Sequence, residues 1–190
     1  MKLIDKYKGS GVEPIGEGTF PARISQVLDL GRQKNEYEGR ETNKPTLWIT
    51  FELPTETINV DGVDKPRWLS SEFTKSTNDK AKLFKVVKAV DDNELKEFSD
   101  LLGKGLLVVI GTTKGGKDKF AGATALPKGM AVAQLANKPV YFDIENPDFD
   151  IFNKLPKFLQ DKITGSSDWK FEETVGIPSH GGQPDDEPPF

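Results

Sequence analysis

The 190-residue sequence predicts a small, mainly β domain: five strands, with a helix between the third and the fourth. Three observations carry that prediction. Apolar and polar residues alternate in two central runs, one helical period follows them, and a β-branched run then turns back through a Gly-Gly pair. The length suits one core-bearing domain with extensions.

In the first strand, Thr19 to Leu30, Phe20, Ala22 and Ile24 share a face. Alternation breaks near Val27 and Leu28, which predicts a bulge or sharp bend. Gly31 to Lys44 is a polar, charged run of 14 residues, long for a connection inside a compact domain. It reads either as a binding finger or as a mobile surface excursion. The second strand, Thr46 to Leu53, sends Leu47, Ile49, Phe51 and Leu53 to a core and Trp48, Thr50 and Glu52 the other way. Pro54 ends it and Asp61-Gly62 marks a turn. Arg67 to Thr74 is the third strand, with Leu69, Ser71 and Phe73 on one face and Trp68 opposite.

Ser76 to Asp79 has the S-x-x-D form of a helix start, and Leu83, Val86, Val87 and Val90 recur at helical spacing beyond it. A second short helical stretch, Glu94 to Leu102, stops at Gly103. Leu106 to Thr113 and Lys119 to Leu126 then pair across Gly115-Gly116. Three strands, a helical connection and two strands is the order of an OB-type barrel, whose strands two and three form its binding face; an SH3-like barrel is the competing arrangement. We assign residues 1–139 to this domain. Residues 140–170 form a docked extension, in which Phe149, Phe152, Leu155, Leu159 and Ile163 make an apolar stripe that Pro156 divides into two short helices. Residues 171–190, polar and rich in Pro and Gly, form a disordered tail.

The net charge of −4 is unevenly spread. Residues 1–139 hold 22 Lys and Arg against 19 Asp and Glu, a surplus of three, whereas residues 140–190 hold 4 against 11, a deficit of seven. A mildly basic body with an acidic tail is compatible with a polyanionic ligand, for which the tail would compete. The absence of cysteine excludes disulfides and thiolate chemistry and points to a reducing compartment, the cytoplasm by default. No apolar run of about 18 residues or signal-peptide pattern is present, so we expect a soluble protein that is not exported by that route.

Trp48 and Trp68 project from the non-core side of adjacent strands, where stacking on bases would use them at roughly 1 to 3 kcal/mol per base; the alternative is that the C-terminal extension covers them as ordinary core. Tyr37, in the long loop, is a third candidate. Arg23, Arg32, Lys34, Arg40, Lys44, Lys65, Arg67 and Lys75 border the same face of an OB barrel and could track phosphates, while Lys80, Lys82, Lys85 and Lys88 read as the solvent face of the helix.

Catalytic readings fare worse, and we expect no catalytic residue, metal or cofactor. Gly111 to Lys117 matches part of a phosphate-binding loop, but Asp118 stands where Ser or Thr is needed and a strand follows, so the glycines read as a turn. His180 is the only histidine and lies in the tail. Asp143, Glu145, Asp148 and Asp150 could hold magnesium, but they flank Asn146-Pro147, where turn and capping roles are expected. Asp185, Asp186, Glu187, Pro188, Pro189 and Phe190 make a sharper signal: Phe190 can fill an apolar pocket while a basic rim takes the carboxylates.

These six terminal residues resemble the acidic tip of the bacterial single-stranded DNA-binding protein family, which reads Asp-Asp-Asp-Ile-Pro-Phe. The body (LGRQKNEYEG at 30–39, ITFELP at 49–54, ALPKG at 125–129) is similar to phage replication-associated proteins of OB type. The resemblance implies non-sequence-specific binding of single-stranded DNA in replication, recombination and repair, in the cytoplasm of a bacterial host. It also implies recruitment of replication and recombination proteins through the tip. The long Gly/Gln-rich linker of the bacterial members is absent, so their tetramer is not implied. A protein-interaction adaptor that binds no nucleic acid and a metal-dependent nuclease are the alternative functions.

Overall fold

A computed structural model describes residues 13–76, 78–90 and 95–171. The chain is mainly β. Strands β1 (Gly18–Tyr37), β2 (Arg40–Val60), β3 (Val63–Thr74), β4 (Gly105–Thr112), β5 (Asp118–Thr124) and β6 (Val140–Phe142) form one sheet. Its path runs β3-β2-β1-β4-β5, all antiparallel, and β6 pairs in parallel with β1. Helix α1 (Lys82–Ala89) and a 3₁₀ turn (Phe98–Leu101) lie between β3 and β4; α2 (Phe149–Phe152) and α3 (Lys157–Thr164) follow β6.

The sheet is not a closed barrel, and it has six strands rather than the five expected. Edge strands β3 and β5 approach each other, with the rings of Phe73 and Phe120 5.0 Å apart, but no ladder joins them. Helix α1 lies against both edges and contributes Leu83, Val86 and Ala89 to the core. Lys82 turns toward this seam, its ammonium 4.9 Å from the Phe73 ring centre and donating to Ser71 Oγ at 3.0 Å. It is therefore more than a solvent-face lysine. Burial lowers its pKa from the ordinary lysine value, while Glu72 acts the other way.

The break in β1 is two bulges, between Ile24 and Gln26 and between Asp29 and Gly31. Each extra residue turns the following side chains over. Consequently Ala22, Ile24 and Val27 enter the main core with Leu47, Ile49, Phe51, Phe73 and Val108, whereas Leu28 and Leu30 enter a second core. That second core joins them to Phe142, Ile144, Leu155, Leu159 and Ile163, so α2 and α3 sit on the outer face of the sheet, while β6, paired beside β1, turns Phe142 to this core and Tyr141 to the main one. Pro156 stands between the two helices as the residue capping α3.

Four local expectations are corrected. Pro54 does not end the second strand: β2 is irregular between Leu53 and Thr57 and runs on to Val60. Gly31 to Lys44 is largely not a loop: β1 runs on to Tyr37 and β2 begins at Arg40, so the polar run is a two-stranded ribbon turning at Glu38-Gly39. Alternating polar residues suit a ribbon exposed on both faces, which carries no apolar signal in sequence. The S-x-x-D run does not cap α1. Ser76 Oγ instead accepts from the Asn78 amide in a separate turn, and the helix starts at Lys82 without a side-chain cap. Of the Glu94 to Leu102 stretch, the described residues from 95 on form only the 3₁₀ turn, closed by a reciprocal cap between Glu97 and Asp100. The Glu97 and Lys96 amides donate to Asp100 and hold its pKa below the ordinary carboxylate value.

Candidate nucleic-acid interface

Side chains on the even-numbered positions of β2 share one face of the sheet. Arg40, Thr42, Lys44, Thr46, Trp48, Thr50 and Glu52 lie there, and the register adds Trp68, Ser70, Glu72 and Thr74 of β3 and Gln26, Leu28 and Gln33 of β1. This is the outer face, opposite the main core.

Two coverings cross it, and between them Gln26, Trp48 and Ser70 are partly exposed, Trp68 is exposed and Thr50 is buried. At one end, residues 132–137 cross the sheet as a strap. Glu52 is only 1% exposed, and its carboxylate accepts from the Ala136 amide at 2.6 Å and from Asn137 Nδ2 at 2.7 Å. Arg23 grips the same strap, donating from Nε to Ala133 O and from Nη2 to Val132 O, both at 2.7 Å, and from Nη1 to Gly103 O at 2.6 Å. At the other end α3 covers Leu28 and Leu30, tied down by Lys162 to Glu72 at 2.7 Å and by Gln33 Nε2 donating to Lys162 O at 2.9 Å. Between these ends the Thr50 hydroxyl donates to Gln26 Oε1 at 3.0 Å and meets Ser70 Oγ at 2.9 Å, forming a polar floor.

The two candidate tryptophans differ in setting. Trp68 stands across from Glu52 in the register and is 50% exposed. Trp48 is half-buried against the second core, with the Phe158 ring 5.6 Å away at 66°. Phe158 is itself 50% exposed and was not among the sequence candidates. Its only signal is that it falls outside the Leu155, Leu159, Ile163 spacing. Tyr37 closes the β1 ladder opposite Arg40.

The eight candidate cations do not gather as one set. Arg23 is committed to the strap. Lys75 forms an ion pair with the buried Asp29, whose other oxygen accepts from the Gly31 amide at 2.9 Å and shapes the second bulge. Lys65 and Arg67 alternate to the side away from Trp68, and Arg67 donates to Glu13 O. On the ribbon, Arg32 and Lys34 share a face with Glu36 and Glu41, and Arg32 lies 3.9 Å from Asp168. Lys44 and Arg40 occupy the other ribbon face, continuous with Trp48, and no acid shares it.

The remaining motifs have local roles. Gly111 to Lys117 ends β4 and turns into β5, with the Thr113 amide donating to Lys117 O at 2.8 Å. Asp143 accepts from the Glu145 amide, and Asp148 caps α2 by accepting from the Asp150 and Ile151 amides. Among the described residues no three His, Asp or Glu side chains are placed to hold a metal ion, and no helix is long and apolar enough to cross a membrane. His180 and the tip from Asp185 to Phe190 lie outside the described residues. Comparison with protein-family models, with curated proteins and with solved structures finds no match to this chain.

Proposed function

We propose that this chain is a single-stranded DNA-binding protein of OB type that holds its strand, without sequence readout or catalysis, across the outer face of β1, β2 and β3. One observation carries the reading: Trp68, a large aromatic residue half exposed beside a polar floor, lies on the face whose ribbon extension bears Lys44 and Arg40 without an acid. An exposed ring offers a stacking surface to any base, and an acid-free pair of cations suits phosphates. The acids nearest the floor are occupied, Glu52 by the strap and Glu72 by Lys162. The strand order and the helix between β3 and β4 support the OB assignment. The acidic tip supports recruitment of replication and recombination proteins, and the resemblance to phage-encoded family members supports a role in replication, recombination and repair.

The test is fluorescence anisotropy of a labelled oligo(dT) titrated with the full chain. We expect binding that weakens with salt, and a Trp68→Ala protein that binds on the order of tenfold more weakly, the loss of about one stacked base. Retention of no oligonucleotide at low salt by the native chain refutes the reading.

A further inference from the structure

We infer that α3 is a wall of the binding face and that Phe158, rather than Trp48, presents the second stacking surface for a nucleic-acid base. This rests on the function proposed above and names a contact residue for it. Three observations lead to it. Phe158 is 50% exposed on a helix whose other large apolar residues, Leu159 and Ile163, are buried, so its ring is not needed by the second core. It meets Trp48 edge to face, 5.6 Å centre to centre, an arrangement in which Trp48 props the phenyl ring from the sheet side. Finally, α3 is fixed to the face by Lys162 on Glu72 and by Gln33 on the Lys162 carbonyl, so the ring is held by a rigid element instead of a loop.

The placement relative to Trp68 gives the pair its use. Trp48 and Glu52 are four residues apart on β2, about 13 Å at strand rise, and Trp68 stands beside Glu52. Trp68 and the Trp48-supported Phe158 therefore bracket the Gln26, Thr50 and Ser70 floor, one aromatic at each end. The Gln26 amide NH2 has no protein partner among the described residues, and it is available to a phosphate or sugar oxygen of a strand lying in between. Charge agrees with a polyanion running in this direction: past Phe158 and Trp48 the same face of β2 continues to Lys44 and Arg40.

Oligo(dT) anisotropy with Phe158→Leu and Phe158→Tyr tests the assignment. Leucine keeps apolar bulk without a π-face, and tyrosine keeps the ring. We expect the leucine protein to bind on the order of tenfold more weakly and the tyrosine protein to stay within about twofold of the native chain. Because the position is half exposed, both should unfold at the native temperature. Native-like binding by Phe158→Leu overturns the assignment, as does equal weakening by both, which would make the side chain a prop. Those results leave the parent reading standing if Trp68→Ala still weakens binding; failure of the native chain to bind at all removes both.

Discussion

Glu52 shows how little a strand pattern says about what lies on a sheet's second face. Alternation places it away from the main core, and it is nevertheless 1% exposed because the strap from 132 to 137 lies over it. No sequence period announces such a strap, since its fixing bonds come from groups about 85 positions away. The same holds for Arg23, read from sequence as a phosphate contact and found donating to three backbone carbonyls. A basic residue on a strand gives no hint of whether its partner is a ligand or the chain itself. Glu52→Ala leaves the Ala136 amide and the Asn137 side chain without their acceptor, which costs roughly 1 to 3 kcal/mol of stability. Hydrogen exchange should report a faster Ala136 amide before global unfolding; unchanged exchange there would show that the strap is held by other contacts.

At the scale of elements, what was legible followed from periodicity. The core residues of β2 and β3, the helical face of α1, the β4–β5 hairpin and the division of the extension at Pro156 are all written as spacing. The ribbon and β6 were not, because both depend on pairing with distant chain rather than on a one-sided apolar pattern. Gly31 joins the two levels. It follows the second bulge at a φ of 67°, and a Cβ there would run into Ser166 Oγ and lie 2.6 Å from Ile144 Cδ1. Gly31→Ala therefore combines left-handed backbone strain with collision against the extension, at least about 2 kcal/mol. Gly39 at the ribbon turn has a φ of 73° and nothing within 4 Å of a built Cβ, so its alanine variant carries only the backbone cost, about 1 kcal/mol. Urea unfolding should rank the two in that order, and limited proteolysis should cut the Gly31→Ala protein first between residues 144 and 166. Equal stabilities would mean that the extension does not bear on the bulge.

For the whole molecule, electrostatics decides whether the outer face meets a polyanion as a surface or at a few points. Composition offered eight candidate cations around one face, but folding commits Arg23, Lys75 and Arg32 to partners within the chain and turns Lys65 and Arg67 away from Trp68. The ribbon then separates the rest by face: Lys34 beside Glu36 and Glu41, Lys44 and Arg40 alone. If phosphates follow the Trp68 face onto the ribbon, Lys44 and Arg40 release counterions on binding and Lys34 does not. Each phosphate contact on a single strand adds a slope of about −0.7 to log affinity against log salt. The Lys44→Ala, Arg40→Ala double variant should accordingly flatten the salt dependence by about 1.4, while Lys34→Ala leaves the slope within about 0.3 of native. Oligo(dT) titrations between 50 and 200 mM salt, roughly the span over which such slopes are read, measure both. A larger change from Lys34 than from the Lys44 and Arg40 pair would put the strand on the opposite face of the ribbon, and with it would go the path from Trp68 past Phe158.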